Sequence, residues 1–191
     1  MHKSDYMIIG KKTRLRSLRK DDLLTINRWR NNLQNRIITQ GYRGPVTMEV
    51  DSFWLENVLK NTDSRNIYFG IEKIQSNSFI GIIQLNEIDY ISRVATCGIL
   101  IGEKKERGQE LGVDAVRGIL YYAFYILNLR KVIIYIAAFN KQAFKVQEKV
   151  GKVYNEGCLK GHYFVNGRYI DLHIQSFFKD DFGFLENDYS I

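Results

Sequence analysis

The sequence predicts a mixed α/β fold in which one parallel strand pair interrupts an otherwise antiparallel sheet. Three observations carry this expectation. Asn66 to Lys73, Phe79 to Ile88 and Ala95 to Gly102 are rich in β-branched residues, with a turn at Gln75 to Ser78, and read as a three-stranded meander. Leu111 to Leu127 carries apolar residues nearly all round a helical wheel, as a buried central helix does. Lys131 to Phe139 is an almost continuous apolar run, the pattern of a strand parallel to its predecessor with a helix crossing between them. The βαβ unit is therefore strand 95 to 102, helix 111 to 127 and strand 131 to 139.

The remaining elements follow in order. Thr13 to Arg19 alternates as a strand, and Asp21 caps a helix from Asp22 to Arg30. Leu33 to Val46, which holds Gly41, Gly44 and the single proline Pro45, reads as a loop. Thr47 caps a helix running to about Leu59. Asn140 ends the second parallel strand and opens a helix from Lys141 to Val150. Asn166-Gly167, between Gly161 to Val165 and Arg168 to Ile174, is a hairpin signal, and the tail beyond Phe182 is expected to be irregular.

With 191 residues, 45% of them apolar, and no Pro/Gly/Ser-rich linker, the expectation is a single domain over residues 1–191. No run of 18 apolar residues occurs, and Met-His-Lys-Ser-Asp-Tyr at the start lacks the apolar core of a secretory signal. A soluble cytoplasmic protein with no membrane partner is expected. Two cysteines, Cys97 and Cys158, make a disulfide framework improbable, and His2, His162 and His173 lack metal-ligand spacing, so no metal is expected. His173 alternates with apolar neighbours, as an exposed strand residue does. The formal charge of +7 suits an anionic ligand, but the basic residues are scattered, which argues against a dedicated nucleic-acid partner.

Glu103 to Gly112 reads as a phosphate-binding turn that feeds a helix. Gly108 and Gly112 allow close approach of main chain, and the helix start presents free N–H groups and a partial positive charge. Its first turn alone is equally consistent with a tight surface loop. Two linked stretches decide the matter. Arg107-Gly-Gln-Glu-Leu-Gly112 resembles the Arg/Gln-x-x-Gly-x-Gly/Ala signature of the GNAT superfamily of N-acetyltransferases, and Leu111 to Phe124 extends the match. Asn140 to Gly151 resembles that superfamily's Asn-x-x-Ala helix. Arg14 to Asp22, Trp29-Arg-Asn-Asn32, and Ile80 to Leu85 with Ile88 to Arg93 resemble the branch holding ribosomal-protein alanine, polyamine and nucleotide-amino-sugar acetyltransferases. The resemblance covers about residues 12 to 182.

The resemblance implies the GNAT fold, with a splayed parallel strand pair and acetyl-CoA as acyl donor. It implies that Arg107, Gly108, Gln109, Leu111 and Gly112 hold the pyrophosphate, and that main chain of Ile99, Leu100 and Ile101 pairs with the pantetheine. Asn140 either caps its helix or reaches the pantetheine, and Phe144 packs beside the cofactor or in the core. The loop at Leu33 to Val46 is placed over the acceptor. Three departures stand out: Gln147 replaces the tyrosine that protonates the thiolate in many relatives, Glu110 replaces the middle glycine, and Lys152 replaces a phenylalanine. Lys104, Lys105 and Arg107 are the cations expected to offset Glu110.

For a catalytic base, Glu87 and Asp89 beyond the strand Phe79 to Leu85 are the acids best placed by sequence, with a solvated-turn role as the alternative. The expected reaction is direct acetyl transfer to a primary amine, a protein N-terminus or an amino sugar on a nucleotide being favoured over a polyamine. The alternative is a non-catalytic acyl-CoA-binding or ribosome-associated protein, and a homodimer is an expected assembly.

Overall fold

Residues 6–41, 43–60, 63–183 and 185–189 are described in the computed structural model; His2 lies outside them. Eight strands form one sheet in the order β1-β2-β3-β4-β5-β6-β8-β7. They are β1 (Tyr6–Ile9), β2 (Thr13–Arg16), β3 (Ile67–Lys73), β4 (Ser78–Asp89), β5 (Val94–Ile101), β6 (Lys131–Ala137), β7 (Tyr154–Val165) and β8 (Arg168–Phe178). The meander expected from the sequence is present, and β5 with β6 is the parallel pair. The strand β1 was not anticipated: it is four residues long and too short to show a period.

One face of the sheet is covered by α4 (Leu111–Tyr121), whose Ala115, Val116, Ile119 and Leu120 are fully buried against Ile8, Leu15, Ile83 and Leu85. The predicted helix to Leu127 is present, but its last stretch, Tyr122–Ile126, widens into a π turn in which the Leu127 N–H bonds to the Tyr122 carbonyl. The apolar residues on its outer side meet the C-terminal segment, where Phe182, Leu185 and Tyr189 are buried. The described residues of the tail are therefore ordered rather than irregular, with a short helical turn α6 (Leu185–Asp188). On the opposite face α1 (Leu23–Arg30) and α3 (Met48–Leu59) pack Leu18, Ile26 and Leu55 over Tyr68, Phe79 and Ile82.

Two buried carboxylates place the N-terminal strands. Asp114 of α4 accepts bonds from the main-chain N–H groups of Lys12 at 3.0 Å and Thr13 at 2.8 Å, and from the Thr13 hydroxyl at 2.7 Å. Asp22 receives both guanidinium nitrogens of Arg16, at 2.8 and 2.9 Å, and the Arg19 N–H at 2.7 Å. The acid that organises the start of α1 is thus Asp22, not Asp21, because only Asp22 faces inward to Arg16. Thr47 caps α3 as expected, accepting from the Val50 N–H.

The segment read as a loop contains a helix, α2 (Leu33–Ile38), capped by Asn32, whose side chain accepts from the Asn35 N–H at 3.1 Å. At the far end of the sheet Asn166 and Gly167 both take positive φ, 49° and 77°, and join β7 to β8 as a tight hairpin. His173 is half-buried rather than exposed: its ring meets the edge of Phe144 with centroids 5.3 Å apart. Cys97 and Cys158 are free thiols, and no cluster able to hold a metal occurs among the described residues. No helix among them is long and apolar enough to cross a membrane.

Asp114→Ala strands the main-chain N–H groups of Lys11, Lys12 and Thr13 and the Thr13 hydroxyl, so it should lower unfolding free energy by about 3 kcal/mol. Denaturant titration against wild type measures the loss.

Candidate active site

The parallel pair is formed at only three positions, Val94 with Lys131, Ala95 with Val132 and Thr96 with Ile133. Both strands continue well beyond this. β5 stays paired with β4 as far as Ile101 with Gly81, and β6 stays paired with β8 as far as Ala137 with Leu172. Each strand keeps its antiparallel neighbour while the two diverge, which opens a wedge through the sheet. The main chain of β5 from Cys97 to Ile101 has no strand partner on the wedge side among the described residues.

A cleft of about 350 Å³ fills the wedge. Its strand walls are Cys97 to Leu100 on one side and Ile134 to Ile136 on the other. Toward the α4 face it is bordered by Val116, Asn140, Ala143 and Gln147. Toward the α1 and α3 face it is bordered by Arg30, Trp54, Tyr68 and Gln84, with Arg36 and residues 38–41 across the mouth.

Beside the cleft, the turn before α4 bends through Gly108 at φ 83° and Glu110 at φ 63°. A left-handed conformation costs a non-glycine residue roughly 1–2 kcal/mol. The Glu110 carboxylate is held by Lys149 at 2.8 Å and Lys12 at 3.0 Å, and these two cations bring its pKa down to about 2. Lys12 and Lys149 therefore offset Glu110, rather than Lys104, Lys105 and Arg107; both approach from elements distant in sequence. Gly112 lies in the first turn of α4, and a Cβ built there would meet nothing nearer than 4.0 Å.

The sequence-selected residues divide by location. Ile99 and Leu100 line the cleft, and Ile101 continues the same open edge. The Arg107 guanidinium folds back on that edge, with Nε donating to the Ile101 carbonyl at 2.9 Å and Nη2 to the Asn35 Oδ1 at 2.6 Å. Burial lowers its pKa, Glu103 acting against the shift. Gln109 is engaged within its own turn, donating to the Lys105 carbonyl and accepting from Lys73. Leu111 is buried in the core.

Asn140 borders the cleft and caps α5 (Lys141–Val150), its Oδ1 accepting from the Ala143 N–H at 3.2 Å. Its Nδ2 donates to the Ile38 carbonyl at 3.4 Å. Phe144 lies outside the cleft lining, against His173. Gln147 is 2% exposed, borders the cleft, and its Oε1 has no hydrogen-bond partner among the described residues. An unpaired buried acceptor is costly, and this one belongs to a residue that borders the cleft.

Glu87 and Asp89 are not brought into the cleft. Both are exposed; Glu87 sits at φ 52° in a bulge, and the Asp89 carboxylate accepts from the Ile91 and Ser92 N–H groups at 2.8 and 2.9 Å. Those bonds, the Ser92 ones first, lower the Asp89 pKa, the opposite of what a base working near neutrality needs. No carboxylate or imidazole borders the cleft among the described residues. Its ionisable groups are Arg30, Arg36, Tyr68, Tyr135 and Cys97, and burial pushes the Cys97 thiol up to about 12.

Sequence reasoning gave no role to Arg30, Arg36 or Asn35. Arg30 was visible within Trp29-Arg-Asn-Asn32, and Asn31 of the same motif clasps Val46, accepting from its N–H at 3.0 Å and donating to its carbonyl at 2.8 Å. Arg36 and Asn35 were hidden in a segment read as a loop.

Residues 12–153 match the family model described as an acetyltransferase (GNAT) domain. The chain belongs to the GNAT acetyltransferase family. It is an N-acetyltransferase, and acetyl-CoA is its acyl donor. It is 32% identical over 160 residues to the spermidine N(1)-acetyltransferase of Vibrio cholerae, covering 83% of this chain and 88% of that protein. It is 33% identical over 112 residues to the putative ribosomal N-acetyltransferase YdaF of Bacillus subtilis, 58% of this chain and 60% of that one. A crystal structure of spermidine N-acetyltransferase from Vibrio cholerae with CoA and spermine superposes with a TM-score of 0.80 at 27% identity, over 90% of this chain and 98% of the other. The GNAT fold expected from the sequence is therefore present, its parallel pair splayed as the resemblance implied.

Two predictions follow from this geometry. Gly112→Ala is free of steric conflict and replaces a helical glycine, so stability should hold or rise by up to about 1 kcal/mol. If the start of α4 is where the CoA phosphates bind, CoA affinity measured by calorimetry should nevertheless fall at least tenfold; unchanged affinity would place the phosphate site elsewhere. For Gln147→Ala, kcat at saturating acetyl-CoA should fall by less than about 10²-fold, since an amide is no general acid. A larger loss with CoA binding intact would give the glutamine a direct part in the chemistry.

Proposed function

We propose that this acetyltransferase acts on the weakly basic primary amine of a small molecule, of the nucleotide-linked amino-sugar type. The observation that carries the reading is the cleft lining, which among the described residues offers no carboxylate and no imidazole to take a proton from an ammonium ion. An amine with a pKa near ~10.4 is neutral in roughly one molecule in a few thousand at pH 7, whereas one near ~7.8 is neutral in roughly one in seven. Sugar amines, whose neighbouring oxygens withdraw electrons, belong with the second kind. They need no base from the protein, and water in the cleft carries the proton away after transfer.

On this reading the open edge of β5 from Ile99 to Ile101 pairs with the pantetheine amides through the main-chain groups left free beside the Arg107–Ile101 bond. The turn from Arg107 to Gly112 with the free N–H groups of α4 holds the pyrophosphate, and Asn140 adds a polar contact beside the thioester. The unpaired Gln147 Oε1 and the open edge of β5 support this assignment. Cytoplasmic acetyl-CoA supplies the reaction.

Polyamine acetylation is the second reading, favoured by relatives named as spermidine N-acetyltransferases. The charge of the cleft weighs against it. Spermidine is a polycation, and among the described residues this lining holds Arg30 and Arg36 and no acid to receive it.

Steady-state assays with spermidine, a peptide N-terminus and a nucleotide-linked amino sugar decide between these acceptors, the amino sugar having the highest kcat/KM. Its pH profile gives a second check. Because the neutral amine is the nucleophile and no side chain removes its proton, kcat/KM should rise about tenfold per pH unit below the acceptor's own pKa and level off above it. An inflection that stays fixed when the acceptor amine is changed would reveal a base in the protein.

A further inference from the structure

The wedge is narrowest where β5 and β6 part, after Thr96 and Ile133, and chain direction fixes which residues stand toward that end. β8 is antiparallel to both β6 and β7, so β6 and β7 run the same way. α5, which joins them, therefore runs back beside β6 from the wide end of the wedge toward the narrow one. Asn140, Ala143 and Gln147 border the cleft from this element, and their spacing puts them on one face of it. At 1.5 Å per residue, Gln147 stands about 10 Å deeper than Asn140. α4 begins beyond the end of β5, at the wide end.

The two amides on this face are engaged differently. Asn140 is half-buried and bonded at both ends, accepting from the Ala143 N–H and donating to the Ile38 carbonyl. Gln147 is buried, and its Oε1 has no hydrogen-bond partner among the described residues. An amide oxygen can only accept, so its natural partner is an N–H or O–H group at the deep end of the cleft. With pyrophosphate at the start of α4 and pantetheine along the β5 edge, the deepest part of the donor is its thioester, which carries no N–H. The N–H groups that reach this point are those of the attacking amine.

We propose that Gln147 Oε1 binds the acceptor nitrogen, accepting one N–H of the primary amine while the nitrogen lone pair faces the thioester carbon. The inference rests on the donor placement proposed above and not on which amine is the acceptor. In the transfer the lone pair forms the C–N bond, and the C–S bond breaks with its electron pair on sulfur. The other N–H proton passes from nitrogen to sulfur through water. Nitrogen carries positive charge as the C–N bond forms, and a fixed amide oxygen stabilises that charge without taking the proton.

The test uses Gln147→Met, close in shape but without a strong acceptor, and whichever amine of the panel above has the highest kcat/KM. At saturating acetyl-CoA, kcat/KM for that amine should fall at least tenfold while CoA affinity, measured by calorimetry, stays within twofold of wild type. The thermal unfolding midpoint should hold or rise, because an unpaired acceptor has left a buried site. Gln147→Glu keeps an oxygen at this position and, with its fold checked by circular dichroism, should retain at least threefold more activity than Gln147→Met. A fall of less than tenfold in Gln147→Met, or one matched by an equal loss of CoA affinity, overturns the contact. Equal activity in folded Gln147→Glu and Gln147→Met overturns it as well, since shape and not the oxygen would then matter. If Gly112→Ala leaves CoA affinity unchanged while Gln147→Met lowers kcat/KM alone, the donor placement fails and the contact stands.

Discussion

Everything in this molecule that bears on chemistry depends on the parting of β5 from β6 after three paired residues. Main-chain groups removed from a partner strand must be satisfied in another way. The fold holds the wedge open by fastening each strand on its outer side. β5 is locked to β4 so closely at Gly81 that any side chain there would collide with the Leu100 carbonyl oxygen. β6 is locked to β8 along its whole length. At the wide end the Arg107 guanidinium takes the Ile101 carbonyl, leaving the groups between Cys97 and Leu100 as the edge a ligand can pair with.

The phosphate turn gains its shape from residues that sequence order would not connect. The segment from Lys11 to Thr13 gives its N–H groups to Asp114 in the first turn of α4, and the Lys12 ammonium reaches one residue before that helix to Glu110. The start of α4 is thereby fastened to the edge of the sheet by its own acidic residues. Lys149 of α5 holds Glu110 from the other side. A carboxylate at this point therefore serves as a brace between three elements, and its charge is compensated by the groups it braces.

Long elements with a clear period were legible in the sequence: the meander, the central helix, the apolar β6 and the hairpin at Asn166-Gly167 all lie where their residues indicated. The turn before α4 was legible because Gly108 and Gly112 mark it locally. What was not legible depended on long-range or very local effects. α2 is six residues long and sits next to Gly41, Gly44 and Pro45, whose turn signals outweigh so short a helix. Choosing Asp22 over Asp21 required knowing that Arg16 points inward from β2. Glu87 and Asp89 looked like catalytic acids because they follow a cleft strand, but a bulge and a main-chain turn use them first. The order of the described tail residues rests on Tyr189 donating its hydroxyl to the Asp114 carbonyl, a contact between residues 75 apart in sequence.

The short helix α2 spans the mouth of the wedge and is tied to both banks. Asn35 receives Arg107 from the β5 side. Ile38 receives Asn140, Ile37 receives the Tyr163 hydroxyl, and Gln40 donates to the Tyr135 carbonyl from the β6 side. Arg107 also belongs to the turn before α4, and Arg36 of α2 borders the cleft. The turn before α4 and the mouth of the cleft thus share one mechanical joint. Binding energy that tightens or loosens this joint at one end is returned, in equal measure, as altered affinity at the other.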